Sequence, residues 1–128
     1  MSYYLTKEVV LNFEDAESKI REELLKVGFG ILTEIDVQST LKKKINADFR
    51  KYKILGACNP KFAHEALLEE DKLGVMLPCS VIIQEHENNK VEISIMNPSP
   101  FMKQLNNEKL TFASSQVEKL LGEALKNC

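Results

Sequence analysis

The stretch "YKILGACNPKFAHEAL", residues 52–67, decides how this chain folds. Its first part, residues 52–58, is an apolar run of the kind that forms a strand. Asn59 then offers a side-chain oxygen to the free amides of a helix start. Pro60, with its fixed φ and no N–H, suits the first helical position. Phe62, Ala63, Ala66 and Leu67 follow at helical spacing, which gives the helix its apolar face. The peptide after Cys58 is therefore a strand-to-helix junction. The helix ends in "EED" at 69–71 and breaks before Gly74.

Toward the N-terminus the same alternation repeats. Residues 3–11, "YYLTKEVVL", are β-branched and aromatic enough for a strand. Asn12 caps a following helix, and Asp15 favours its positive end. Phe13, Ala16, Ile20, Leu24 and Val27 form one apolar stripe, and Gly28 stops the helix by accepting a left-handed conformation. "FGILTEIDV" at 29–37 is a second strand. Residues 38–47 stay open between a loop and a short helix capped by Ser39 or Thr40, with Leu41 and Ile45 turned to the protein.

Toward the C-terminus, "LPCSVIIQEHE" (77–87) and "KVEISIMN" (90–97) form a hairpin. Val91, Ile93 and Ile95 alternate with Glu92, Ser94 and Met96, and Asn88 and Asn89 suit left-handed turn positions. Pro98 and Pro100 mark a loop, and a last helix over 110–126 carries Leu110, Ala113, Val117, Leu120, Leu121 and Ala124 on one side. The order is βαβ(α)βαββα. This predicts one α+β domain over residues 1–128, with a mainly antiparallel sheet and helices packed on one face.

Composition narrows the function classes. At 128 residues, 44% hydrophobic and 28% charged, the chain has the balance of one soluble globular domain. A net charge of −2 argues against nucleic acid, because such binders show a basic face. Lys42, Lys43 and Lys44 form the one dense basic run, read as a solvated helix face. No apolar window reaches the length of a membrane span, and the N-terminus lacks a signal pattern. Three cysteines, an odd number, do not make a secreted disulfide framework, so a cytoplasmic location with free thiols is expected.

The chemistry-bearing residues gather at two junctions. Cys58 ends one strand and Cys79 begins another. If those strands are antiparallel neighbours, both thiols sit at one end of the sheet, beside the helix N-terminus at Asn59 and Pro60. A helix N-terminus lowers a thiol pKa and attracts anions. A redox pair, a thiolate metal site or an attacking thiol would fit there. So would two buried cysteines acting as small apolar side chains. Cys58, Cys79 and His64 are the weak candidates for a metal, with His86 a further one. Their spacing matches no zinc module, so no metal or other cofactor is expected. Glu69, Glu70 and Asp71 read as a solvated helix end, and Cys128 as a mobile, exposed thiol. There is no phosphate loop, nucleophile elbow or catalytic set.

"YKILGACNPKFAHEAL" followed by "GVMLPCSVIIQE" resembles the core motifs of the domain of unknown function 302 family. The helix leading into "VGFGILTEIDV" and the hairpin resemble it too, so the likeness covers essentially the whole chain. One departure is Ser80, where the family commonly shows asparagine. The resemblance implies a TBP-like α+β arrangement and a homodimer, with no established activity. It carries the motif residues Cys58, Asn59, Pro60, Leu77, Pro78 and Cys79. The expectation is a small cytosolic binding or interaction domain without catalysis. Its ligand cleft would involve Cys58, Asn59, Pro60, Pro78, Cys79 and Ser80. The alternative is a thiol-based redox or metal-binding protein using Cys58 and Cys79.

Overall fold

The computed structural model describes residues 2–128. Its centre is one five-stranded sheet in the order β1-β5-β4-β3-β2, with every neighbouring pair antiparallel. The strands are β1 (Tyr4–Val9), β2 (Gly30–Asp36), β3 (Tyr52–Cys58), β4 (Cys79–Glu85) and β5 (Val91–Met96). The helices are α1 (Phe13–Lys26), α2 (Val37–Ile45), α3 (Pro60–Glu69), α4 (Ser99–Lys103) and α5 (Glu108–Lys126). A 3-10 turn at Asp71–Met76 joins α3 to β4.

Register sorts the side chains. Leu55 pairs with Val81, and Val81 with Ile95, while Ile83 pairs with Ile93. With Ala57 and Val91 these fill the covered face at 0–1% exposure. Period-two alternation then puts Ile54, Ile82 and Ser94, which also stand opposite one another, on the other face. The covered face meets Phe13, Ala16, Ile20 and Leu24 of α1 and Val117, Leu121, Ala124 and Leu125 of α5 in one core. Each large side chain fully withdrawn from water there contributes about 1.5–3 kcal/mol.

The caps follow the sequence. Asn12 Oδ1 accepts from the Asp15 amide, and Gly28 closes α1 at φ +92°. Asn88 and Asn89 hold positive φ in the β4–β5 connection. The open question at 38–47 resolves to a helix, but Asp36 caps it, accepting from the Ser39 amide, so neither Ser39 nor Thr40 does. Three expectations are corrected. The Pro98–Pro100 segment is a loop only at its start. It enters α4, whose Pro98 and Pro100 both lie where a helix tolerates a missing N–H. The break before Gly74 is a 3-10 turn that includes that glycine. Cys128 packs against the main core, and its Sγ donates to the Ala124 carbonyl at 3.5 Å, so it is not an exposed thiol.

A cavity beneath the third helix

β3 and β4 are antiparallel neighbours, so the end of one and the start of the other meet, with Ala57 opposite Cys79. A second, smaller core of Leu73, Met102 and Leu110 lies at this end of the molecule. Between it and the sheet is a cavity of about 60 Å³. Ala57, Cys58, Leu77 and Cys79 line its sheet side, and Phe62, Ala63 and Ala66 of α3 roof it. Leu110, Ala113 and Val117 of α5 and Met102 of α4 complete the wall. The space has a local cause. Ala63, Ala66 and Ala113 line it with single methyl groups where α1 would present Ile20 and Leu24.

Asn59 caps the roof helix. Its Oδ1 accepts from the Lys61 and Phe62 amides at 3.2 and 3.3 Å. Its Nδ2 comes so near Gly28 that a Cβ there would lie 2.9 Å away. Gly28 therefore serves twice, as the α1 stop and as clearance for the α3 cap. The other end of α3 is tied to α5. Glu69 accepts from Asn107 Nδ2 at 3.3 Å and pairs with Lys109 Nζ at 3.3 Å. These two partners, the Asn107 bond first, hold the Glu69 carboxyl below the usual carboxylate range. The acidic helix end is thus partly latched, more than the solvated face the sequence suggests.

The interior is apolar in chemistry as well as composition. Ser114 also lines it, but its Oγ donates to the Thr111 carbonyl at 2.9 Å. Among the described residues no buried side-chain nitrogen or oxygen lacks a partner. A water molecule inside would find few hydrogen-bonding groups on a wall made mostly of carbon, so the space favours hydrocarbon over water.

The six residues expected at a cleft divide evenly. Cys58, Asn59 and Cys79 line the cavity, whereas Pro60, Pro78 and Ser80 are not among its lining. Pro60 occupies the first turn of α3 on the exposed side. Pro78 follows a cis peptide and lies over Gly56, where a Cβ would come within 2.6 Å of Pro78 Cγ and collide with Thr33 Oγ1. Ser80 is exposed and borders a shallow depression with Tyr4, Ile82 and Met96. The cavity residues not singled out beforehand are chiefly Phe29, Leu73, Met102 and Leu110. They look like plain core residues in sequence, and only the packing shows the gap among them.

The thiols are unbonded, and Cys79 is buried. Burial, with Cys58 nearby, pushes the Cys79 pKa up to about 11. At this residue loss of hydration raises the pKa, against the lowering expected beside a helix N-terminus. Cys79 is a protonated thiol at neutral pH, a poor nucleophile and a poor metal ligand. His64 is exposed on α3, and among the described residues no group of three or more His, Cys, Asp or Glu side chains is placed to hold a metal. Also among the described residues, no helix is long and apolar enough to cross a membrane.

A five-stranded antiparallel sheet with helices packed on it and a small apolar cavity at its end defines a single α+β domain. The model of the domain of unknown function DUF302 matches residues 5–128, and the chain belongs to that family. It is similar to a crystal structure of an uncharacterized conserved DUF302 protein from Bacillus stearothermophilus. The identity is 28%, the TM-score 0.91, and 100% of this chain and 99% of that one are covered. No curated protein matches the chain.

Proposed function

We propose that residues 1–128 form one cytoplasmic, non-catalytic binding domain that holds a small apolar ligand in the cavity beneath α3 and works as a homodimer of TBP-like subunits. The observation that carries the ligand reading is the apolar cavity where Cys58, Asn59, Leu77 and Cys79 meet, with no buried side-chain nitrogen or oxygen left unpaired among the described residues. Its thiols act there as polarizable apolar surface. The raised Cys79 pKa supports this over thiol redox chemistry or metal binding. A net charge of −2 supports a partner other than nucleic acid.

Xenon tests the cavity, because it enters dry apolar spaces without needing a polar contact. Under xenon pressure the methyl signals of Leu73, Leu77, Met102 and Val117 are expected to shift while those of Ile83 and Ile93 stay fixed. Unchanged signals at all of them would overturn the reading.

The open sheet face supports the dimer. Ile35, Ile54 and Ile82 form a row across three strands on the side away from α1 and α5, with Ile35 at 49% exposure. Ile82→Lys is expected to give a 14.6 kDa monomer in sedimentation, against twice that for the unaltered chain. A monomeric unaltered chain would remove the dimer from the proposal.

A further inference from the structure

We propose that the cavity receives the methyl end of an unbranched aliphatic chain, that the stem of the chain lies in the groove between α3 and α5, and that α3 is the lid it passes. This rests on the cavity being a binding site and adds the class of ligand. The groove, about 390 Å³, runs along the outside of the same helix pair. Phe62, Ala66, Leu110 and Ala113 line both spaces, so one layer of side chains divides them.

Size selects the shape of the occupant. An apolar cavity that takes a benzene ring measures about 150 Å³, and this one is about 60 Å³. The end of a straight chain therefore suits the space better than a ring or a branched group. The remainder of any longer ligand must then lie outside, and the groove is the adjoining apolar space. Leu68 and Phe112 on its rim are 75% and 65% exposed. An amphipathic peptide helix would cover that rim but leave the cavity empty.

The lid is the weakly held wall. No α3 side chain is fully buried, whereas Leu110 and Val117 opposite are at 3% and 8% exposure. Moving α3 outward therefore withdraws little from the core. Its C-terminal end is fastened by polar contacts that re-form easily, the Glu69 bonds to Asn107 and Lys109, while the Asn59 cap lies within the helix's own first turn. The cation that lines the groove, Lys109, pairs with Glu69 at one end and Glu65 lies a turn away, which places the polar head of the ligand in water on that side.

The test uses the whole chain and calorimetric titration with hexanoate, octanoate and decanoate below their micelle concentrations. Decanoyl lysophosphatidylcholine provides a lipid source of the same chain. Affinity is expected to rise about fourfold per added methylene. Binding of decanoate alone identifies a free acid, and binding of the lysolipid alone a lipid chain; either supports the proposal. Leu68→Glu, on the exposed rim, is expected to weaken decanoate at least fivefold and leave the xenon shifts intact. Ala113→Leu, or Ala66→Leu if that variant does not fold, is expected to abolish both. Affinity independent of chain length, or a Leu68→Glu variant that binds decanoate unchanged, overturns the chain while retained xenon shifts leave the cavity standing. Loss of xenon shifts in the unaltered protein removes both readings.

Discussion

Helices α1 and α3 begin alike and end in different structural roles. Each opens with an asparagine whose Oδ1 caps the first turn, and each carries an apolar stripe. Yet α1 buries Phe13, Ala16, Ile20, Glu23 and Leu24, and α3 buries no side chain fully. The difference lies in what faces the protein. In α1 it is isoleucine and leucine against a filled sheet face. In α3 it is Ala63 and Ala66 against a space. A stripe of alanines satisfies the helical period without supplying the volume to close a core. One helix fills the core, and the other leaves a space beneath it.

The largest expected effect breaks or confirms that contrast directly. Leu24 is at 0% exposure, and Leu24→Ala is expected to cost about 3 kcal/mol in chemical denaturation. Leu67 of α3 is at 38% exposure, and Leu67→Ala is expected to cost less than about 1 kcal/mol. Equal losses in the two helices would mean that α3 is as much a part of the core as α1, and the division into anchor and lid would fail.

Much of the fold was legible because local chemistry and tertiary role agree. Asn12 and Asn59 cap where a cap is needed, Gly28 takes the positive φ that ends α1, and Asn88 and Asn89 take the left-handed positions of the hairpin connection. The strand-to-helix junction at 58–60 is where the sequence pattern places it. What escaped the sequence depends on contacts between distant segments. α4 is five residues long, too short for a periodic signal, and its prolines read as loop markers. The sequence could place Cys58 and Cys79 at one end of the sheet only on the condition that β3 and β4 pair. Alternation along β4 puts Ser80 on the face opposite Cys79, so grouping the two in one cleft goes against the strand's own period. Cys128 reads as a loose end because nothing in its neighbours announces that the last turn of α5 packs on the core.

Lys53 is the sharpest case, and it supplies the smaller prediction. It precedes Leu55 and Ala57 on the covered face, where alternation calls for an apolar residue. Instead its ammonium pairs with Glu17 of α1 at 2.9 Å and Glu34 of β2 at 2.8 Å, and Arg21 joins both carboxylates. Where α3 leaves a cavity, α1 closes its edge of the sheet with an ion network. Lys53 and Glu17 are only 19% and 16% exposed, so removing the cation leaves Arg21 alone to pair two carboxylates, one of them largely buried. Lys53→Met is expected to cost about 2 kcal/mol at neutral pH, between the surface and buried limits for an ion pair. The pH profile identifies the cause. Its carboxylate partners, the Glu34 bond first, raise the Lys53 pKa, so that stabilisation is complete below about pH 10 and is lost as pH rises through the raised value. Lys53 lowers the Glu34 pKa, and that contribution is present above about pH 4 and lost as pH falls through the lowered value. The unaltered chain should therefore lose its advantage over Lys53→Met at both extremes. A gap that stays constant from acid to alkali would show that Lys53 acts through the packing of its aliphatic stem, and that α1 needs no charge to seal the sheet.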